Sequence, residues 1–288
     1  MKRLAGIAIF LMLLSCSSGD KKTDLESYEL KGKVNHVTIR HYDAVEKDGE
    51  VVKGDRDLEK SNEGDQTVSF DKKGYITGAY FYGETDSSDS KTLRFYDAPG
   101  KCAREINYNG NGEVVSDWVW SYDRKGNQTG RSRYKADSSL VQLWFLHYDE
   151  DNRLISRAIY WEPGSLYDSL YWIYNDAGKQ IEERSFGYYG LRYISRIEYA
   201  GEHIRNIFRY DENDELIGFY ELDYNEDELL SAARIYTVDT GEEAEADTVL
   251  QAAHRFEYEK DTRGNWIGKI EYRNDEPYIY YERRIIYY

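Results

Sequence analysis

The chain has 288 residues, 40% of them hydrophobic, and a formal net charge of −16. Its 29 Tyr, 9 Phe and 6 Trp are enough to bury a large apolar area, which excludes global disorder. The acidic balance offers no net positive field to a phosphate backbone, so we expect no nucleic-acid partner. Two Cys exclude a disulfide-rich scaffold and a Cys-rich zinc site.

Residues 1–15 form a predicted export signal. Met1-Lys2-Arg3 precedes an apolar run from Leu4 to Leu14, which fits a secretory signal and is too short to span a bilayer stably. The segment Leu13-Leu14-Ser15-Cys16 resembles the lipobox of bacterial lipoproteins. That resemblance implies that Cys16 becomes the mature N-terminus and carries acyl chains that partner the lipid bilayer. An ordinary signal peptide cut nearby is the alternative.

Cleavage at this site changes both the charge and the thiol content. It removes Lys2 and Arg3 and leaves 36 basic against 54 acidic residues, a formal charge of −18. Cys102 is then the one internal thiol, so no intrachain disulfide is available to it, and we expect a packed free thiol. We expect residues 16–27 to be a polar tether and residues 28–288 a single domain.

The domain begins with a predicted strand and a polar excursion. Leu30 to Tyr42 contains Val34, Val37 and Ile39 and is typical of a strand. Residues 43–66 are charged and are expected to be rich in loops.

A 26-residue repeat follows. Each copy starts with an aromatic residue and an Asp or Asn, has a Gly or Asn four positions after the aromatic, and has a second aromatic at twelve positions. The copies are Phe70-Asp71 with Gly74 and Tyr82, Tyr96-Asp97 with Gly100 and Tyr108, Tyr122-Asp123 with Gly126 and Tyr134, Tyr148-Asp149 with Asn152 and Tyr160, and Tyr174-Asn175 with Gly178 and Phe186. Gly or Asn at the fourth position supplies the positive φ of a tight hairpin turn. The repeat therefore predicts successive hairpins.

Alternation within the repeats favours strands over helices. Trp118, Trp120 and Tyr122 share one parity, which places them on a single aromatic face of the sheet. Turns about every 13 residues predict an all-β antiparallel meander of about 18–20 strands, in a coiled or curled sheet. The acidic segment 239–247 is predicted to be a loop or a short helix.

The repeat also resembles a known family. Tyr122-Asp123-Arg124-Lys125-Gly126-Asn127 and the segment from Tyr258 to Tyr288 look like YD repeats of the RHS type, as found in small lipoproteins of Gram-negative bacteria. The period is longer than usual and the Gly-Arg-Leu form of the turn is missing. The resemblance therefore implies a coiled β-meander more securely than a closed RHS shell. Because the repeat runs to Tyr288, a separate C-terminal toxin domain is not expected.

No catalytic, cofactor or metal motif stands out. The five His lack zinc-type spacing, and His36 and His41 are predicted to lie on opposite faces of a strand as single surface or sheet residues. Nucleophile elbows and phosphate loops are missing, so we expect no enzyme activity and no cofactor. The Tyr repeat is interpreted mainly as sheet architecture, with ligand stacking as a lesser role.

Two hypotheses about function remain. The first is a non-enzymatic, membrane-anchored binding or scaffold protein whose partner is an envelope protein or glycan. The second is an envelope glycan-binding protein or glycan hydrolase that uses carboxylates on the aromatic face, where sugars stack on the tryptophans. The candidate stacking residues are Trp118, Trp120, Trp144 and Trp172.

The predicted location is the outer membrane. By analogy with bacterial lipoproteins, Ser17 after Cys16 disfavours retention in the inner membrane. Whether the anchored chain faces the periplasm or the outside stays open.

Overall fold

The computed structural model describes residues 23–57, 60, 64–83, 88–161, 164–239 and 247–288. Cys16, the predicted export signal and most of the predicted tether lie outside these residues. The elements are α1 (Asp24–Ser27), β1 (Val34–Lys47), β2 (Glu50–Arg56), β3 (Asp65–Phe70), β4 (Ile76–Tyr82), β5 (Ser88–Ala98), β6 (Lys101–Asn109), β7 (Val114–Tyr122), β8 (Gln128–Tyr134), β9 (Leu140–Tyr148), β10 (Leu154–Trp161), β11 (Ser165–Tyr174), β12 (Gln180–Gly187), β13 (Gly190–Ala200), β14 (His203–Tyr210), β15 (Leu216–Tyr224), β16 (Leu230–Asp239), β17 (Asp247–Lys260), β18 (Trp266–Arg273) and β19 (Glu276–Tyr287).

The all-β prediction is confirmed. Two segments are expected from the sequence to be loops or a short helix. Residues 43–66, expected to be rich in loops, contain the end of β1 and all of β2, because Asp48 and Gly49 both adopt positive φ and make a two-residue hairpin turn. The acidic segment 239–247 lies outside the described residues except for its two ends, which belong to β16 and β17.

The sheet closes on itself. Each strand from β3 to β19 pairs antiparallel with the next strand along the chain. β1 pairs with both β19 and β3, so that Val37 lies opposite Ile285 on one side and Val68 on the other. β1 and β3–β19 thus form an 18-strand barrel, while β2 pairs with the far end of β1. Where the sequence favours a coiled or curled sheet, the structure has a ring, which leaves these strands no open edge.

The hairpins alternate between the two ends of the barrel. The 26-residue period corresponds to two strands and their two turns, so equivalent turns return to one end, which we call the base. At the base, the Oδ1 atom of Asp123 accepts the backbone N–H of Asn127, and Gly126 adopts a φ of +86°. The opposite end, which holds the turns after β1, β12, β14 and β18, is the rim.

The wall has two distinct faces, because directly paired residues on neighbouring strands point to the same side. One row of directly opposed residues runs across the strands from Val37 and Val68. Because these two residues are buried, the row marks the inner, lumen-facing side. It continues through Ala79, Thr92, Asn107 and Ser116.

Charged residues cover much of the outer face. The ion pairs there join neighbouring strands: Arg104–Asp117 at 2.7 Å, Arg196–Glu182 at 3.2 Å and Arg234–Glu221 at 3.3 Å. The outer wall thus carries ion pairs at mid-strand, beside exposed apolar side chains such as Phe95, Val119 and Phe145.

The N-terminal segment packs into the base. Leu25 and Tyr28 of this segment lie against a buried apolar cluster that contains Leu30 and Phe70. The Leu25 N–H donates to Gly74 O at 3.1 Å, and the Tyr28 and Phe70 rings meet edge-to-face at 5.7 Å. Residues 24–27, expected to belong to the tether, are thus held by the barrel. Within the described residues, no helix is long and apolar enough to cross a membrane.

Candidate functional site

Four neighbouring strands bring tryptophan and arginine side chains together inside the barrel. The register places Trp118 of β7 opposite Arg133 of β8, and Trp120 opposite Arg131. Arg131 in turn lies opposite Trp144 of β9. All five side chains share the lumen-facing parity, because the alternation of β7 and β8 carries every second residue to the same side.

The rings and guanidinium groups interleave. The centre of the Arg131 guanidinium lies 3.5 Å from the centroid of the Trp144 ring and 4.5 Å from that of Trp118. The Trp118 and Trp144 rings are 6.2 Å apart in an edge-to-face arrangement. Arg157 of β10 lies 4.9 Å from Trp144, and Arg133 lies 5.7 Å from Trp118. We call this set, Arg133, Trp118, Arg131, Trp144 and Arg157, the Trp–Arg stack.

The stack is partly accessible to solvent although it faces inward. Each of its five side chains is only half-buried, in contrast to the fully buried cluster around Val37 near the base. The inner wall is therefore less tightly packed along β7–β10 than beside β1 and β3.

Cations outnumber anions on this part of the inner wall. The lumen-facing acids of β5–β14 are Glu105, Asp168 and Glu183, and the arginines that point inward are Arg94, Arg131, Arg133, Arg157, Arg192 and Arg209. The chain as a whole carries a formal charge of −16, so positive charge is concentrated here against the overall balance. Such a surface attracts anions into the lumen.

The three acids are already engaged. The Glu105 carboxylate accepts from Arg94 Nε at 2.8 Å, and Asp168 accepts from both Arg157 and Arg192. The Glu183 carboxylate accepts from the Trp172 indole N–H at 2.9 Å and from the Tyr193 hydroxyl at 3.3 Å. These contacts hold the carboxylates in the wall.

Arg131 lacks a carboxylate partner among the described residues. Burial lowers its pKa to about 10, and the nearby positive charges of Arg157 and Arg94 act in the same direction, while Glu105 opposes them. The guanidinium therefore stays charged at neutral pH. Its Nε–H is buried without a hydrogen-bond acceptor in the structure, as are Trp120 Nε1, Trp144 Nε1 and Arg157 Nε. These four buried N–H donors lie on the adjacent strands β7, β8, β9 and β10.

The structure separates the four predicted stacking tryptophans. Trp118, Trp120 and Trp144 lie together in the lumen, whereas Trp172 is buried and its indole N–H is bound to Glu183. The arginines of the stack are the residues that the sequence reasoning missed. The alternation of Arg131-Ser132-Arg133 on a strand next to Trp118 and Trp120 carried this signal, because it places both guanidinium groups on the aromatic face.

The repeat tyrosines have a structural role at the base. The Tyr122 hydroxyl donates to the backbone oxygen of Cys102, 20 residues earlier, at 2.9 Å. Equivalent bonds join Tyr96 to Ile76, Tyr174 to Leu154, Tyr199 to Gln180 and Tyr258 to Leu230. We call these five residues the tyrosine collar. Burial raises the pKa of Tyr122 to about 12, and also raises that of its partner Cys102, to about 11. Cys102 is a buried free thiol, as the sequence predicts.

The turn residues of the repeat signature occupy the base. Asp71, Asp123 and Asp149 directly follow the strand that descends to the base, and Asp97 is the second-last residue of β5. Gly74, Gly100, Gly126 and Gly178 all have positive φ. Phe70 belongs to the apolar cluster, and Tyr148 ends β9.

A second polar cluster lies on the opposite part of the wall. His41 is fully buried, and its Nδ1 lies 2.9 Å from Asp65 Oδ1. His254 Nδ1 lies 2.8 Å from Glu271 Oε1, and the other oxygen of Glu271 accepts the Tyr281 hydroxyl. Both are residues of the sheet, as predicted, but each is paired with a carboxylate inside the barrel instead of standing alone. Among the described residues, no group of three potential ligands is placed to hold a metal ion.

Comparison with known proteins was made at three levels. No family model and no curated protein matches the sequence. Among solved structures, the chain is similar to a porin-like protein from Bacteroides uniformis ATCC 8492, with 9% identity over 88% of this chain and 98% of that chain and a TM-score of 0.45. It is similar to a porin-like protein from Bacteroides vulgatus ATCC 8482, with 9% identity, the same coverage and a TM-score of 0.21.

A third likeness covers only a small part of a much larger chain. The TcdB2–TccC3–Cdc42 structure matches 75% of this chain and 16% of that chain, with 10% identity and a TM-score of 0.29. Likenesses at these scores assign no activity to the chain.

Proposed function

We propose that this protein is a non-enzymatic binding protein that takes an acidic saccharide into the barrel lumen at the Trp–Arg stack. The observation that carries the proposal is the unpaired Arg131 guanidinium, set among inward-facing N–H donors that have no acceptor. A carboxylate or sulfate group on the ligand supplies the missing anion, and charge-assisted bonds to arginine are among the stronger hydrogen bonds in proteins.

The remaining surface suits a sugar. Sugar hydroxyls accept hydrogen bonds from the indole N–H groups of Trp120 and Trp144, and the apolar faces of sugar rings pack beside aromatic side chains. Binding is favoured over hydrolysis because Glu105, Asp168 and Glu183 are each tied to an arginine or to aromatic donors. A glycan hydrolase needs one carboxylic acid and one carboxylate that are free to reach the scissile bond.

The proposal extends to the location of the chain. We infer a lipoprotein of the YD/RHS-repeat type, anchored in the outer membrane by acylated Cys16. The described chain enters the barrel at the base through residues 23–33, so the tether leaves the base end nearest the membrane. The ion pairs across the middle of the outer wall support a barrel that stands in water, because a barrel embedded in lipid presents an apolar band about 25 Å tall. Labelling with an acyl analogue tests the anchor: Cys16→Ala is expected to abolish incorporation.

Titration calorimetry on the chain from residue 17 onward tests the binding. The probe is a hexamer of galacturonic acid, and its methyl-esterified form is the uncharged match. We expect the acid to bind and the ester to bind at least tenfold more weakly, a difference of about 1.4 kcal/mol. Arg131→Gln should weaken binding of the acid by a similar factor, because it removes the unpaired charge.

The control variant changes an arginine on the outer wall of the same sheet. Arg104→Gln removes an arginine of the same sheet that faces outward and pairs with Asp117, so it should leave binding unchanged. Equal binding of acid and ester would refute an anionic ligand. Equal loss in Arg104→Gln and Arg131→Gln would show that binding is not in the lumen. Release of reducing sugar from the hexamer would replace the binding function by hydrolysis.

A further inference from the structure

A groove opens at the rim, next to the end of the Trp–Arg stack. It has a volume of about 570 Å³, and its aromatic and charged lining consists of Trp161, Tyr167, Tyr188, Tyr189, Arg192 and Glu212. These residues come from the hairpins β10–β11 and β12–β13 and from the turn after β14. We call this the rim groove.

Two extra residues in the strand pairing shape the groove. The pairing of β12 with β13 shifts between Ser185 and Phe186, which leaves Arg192 without an opposite residue, and the same shift in β10–β11 leaves out Tyr167. Such bulges redirect side chains. Arg192 folds across Gly187 and donates to Asp168 Oδ1 at 3.1 Å and to the Tyr167 backbone oxygen at 3.3 Å.

Asp168 connects the groove to the stack. Asp168 accepts from Arg192 through one oxygen and from Arg157 through the other, at 3.0 Å. Arg157 is the last member of the Trp–Arg stack. A line of charged groups therefore runs from Arg131 through Arg157 and Asp168 to Arg192, and about half of the Arg192 side chain is exposed.

The groove ends in two exposed tyrosines. Tyr188 and Tyr189 form the tip of the β12–β13 hairpin, where they are 71% and 99% exposed, and their rings meet edge-to-face at 5.1 Å. Two-residue hairpin tips usually hold Asn, Asp or Gly, which suit the turn geometry and water. Here Gly190, with a φ of +118°, follows the two aromatics. The wall gains no packing from these rings, so they are available to a ligand.

The base end is covered on one side by the N-terminal segment. Leu25, Tyr28 and Leu30 pack against the inner surface beside β1, β3 and β4. Arg192 lies at the opposite end of the barrel, so the approach proposed for the ligand is from the rim.

From this connection we infer that the rim groove is a second subsite for the same acidic saccharide. It takes the sugar units that extend beyond the lumen, with Arg192 contacting an acidic group and Tyr188 and Tyr189 packing on sugar rings. The inference rests on the proposed function, and it adds that the ligand is an oligomer rather than a single acidic sugar.

Affinity as a function of chain length tests this subsite. The probes are the dimer and the hexamer of galacturonic acid, and the variants are Tyr188→Ser/Tyr189→Ser, Gly187→Ala and Arg131→Gln. The tyrosine variant should weaken the hexamer about tenfold and leave the dimer unchanged, since only the longer chain reaches the two rings at the rim. Arg131→Gln should weaken both probes.

Gly187→Ala is a milder second variant. A methyl group at position 187 would lie 2.1 Å from Arg192 Nε, so it displaces that side chain from Asp168 without removing a charge. We expect it to weaken the hexamer alone. Tyr80→Ser, which removes an exposed tyrosine of the outer wall on β4, is the control and should bind both probes normally.

The outcomes separate the two proposals. Equal affinity of the dimer and the hexamer, with no effect of the tyrosine variant, overturns the rim subsite and leaves the lumen site intact. No binding of either probe to the unaltered chain overturns the proposed function itself. Hexamer-selective loss in the tyrosine and Gly187 variants supports the subsite.

Discussion

Arg131 is a charged side chain in a position that costs stability. Its guanidinium is flanked by the Trp118 and Trp144 rings. Burial and the positive charges of Arg157 and Arg94 lower its pKa to about 10 from the usual 12.5. A base whose pKa is lowered by folding is destabilised in its charged form at every pH below that value. The neutral-pH protein therefore carries this penalty, and the proposed ligand relieves it.

Replacing this arginine by a neutral side chain should therefore stabilise the protein while removing binding. For Arg131→Met we expect the free energy of unfolding to rise by about 1 kcal/mol, because a partly desolvated, unpaired charge gives way to an apolar chain. Urea unfolding followed by tryptophan fluorescence measures the change.

Arg94→Met is the matched control for that measurement. Arg94 has a similar inward position but is paired with Glu105, so its loss should destabilise the fold by about 1–3 kcal/mol. Destabilisation of equal size in both variants would mean that Arg131 has a compensating partner.

At the scale of elements, the hairpin at the base is joined to the N-terminal segment by a glycine. Gly74 has a φ of +89°, and a methyl group built on it would lie 2.9 Å from Leu25 Cδ1. Two constraints therefore favour glycine at position 74: the positive φ of the turn, and the close packing of helix α1 against it.

Comparing Gly74 with Gly112 separates the cost of positive φ from the cost of displacing α1. Gly112 has nearly the same φ, +81°, but a methyl group on it would meet nothing within 4 Å. Both Gly→Ala changes incur the cost of positive φ, about 1 kcal/mol. Gly74→Ala should lose about 1 kcal/mol more, because Leu25 must move away. Thermal and urea unfolding check the difference, and equal losses would show that α1 adjusts freely.

Some features of the strands and turns could be predicted from the sequence, and others could not. Tyr122-Asp123 with Gly126 contains the turn geometry locally, so the hairpins and their register could be predicted. Alternation likewise placed Trp118, Trp120 and Trp144 on one face. The role of Arg131 and Arg157 could not be predicted in this way, since an arginine on a strand is ordinarily solvated and its lack of a carboxylate depends on four strands at once. Pairing of Val37 with Ile285 is likewise invisible to local patterns.

At the scale of the whole molecule, that last pairing decides whether the sheet is a ring. Thr38 of β1 lies opposite Arg284 of β19 on the outer face. Opposed residues of antiparallel strands have Cα atoms about 4.5–5.5 Å apart, which is within the range of a disulfide. Thr38→Cys/Arg284→Cys should therefore form a cross-link under mild oxidation, detected by faster migration of the unreduced chain on a denaturing gel.

Two controls make that result specific. In the chain from residue 17 onward, Thr38→Cys alone should not cross-link, since the remaining native thiol, Cys102, is buried and its pKa is raised to about 11. Thr38→Cys combined with Tyr171→Cys, on the exposed outer face of β11, should stay reduced. Failure of the Thr38/Arg284 pair to oxidise would contradict the ring and favour an open coil.

The junction of β1 with β19 has a consequence for biosynthesis. The hairpins between them can form as soon as each is made, but the junction waits for the final strand to emerge. A chain that stops early keeps two bare strand edges, which invite aggregation and degradation. Closure of the ring thus works as a check on length, because only a polypeptide translated through β19 acquires a wall without edges.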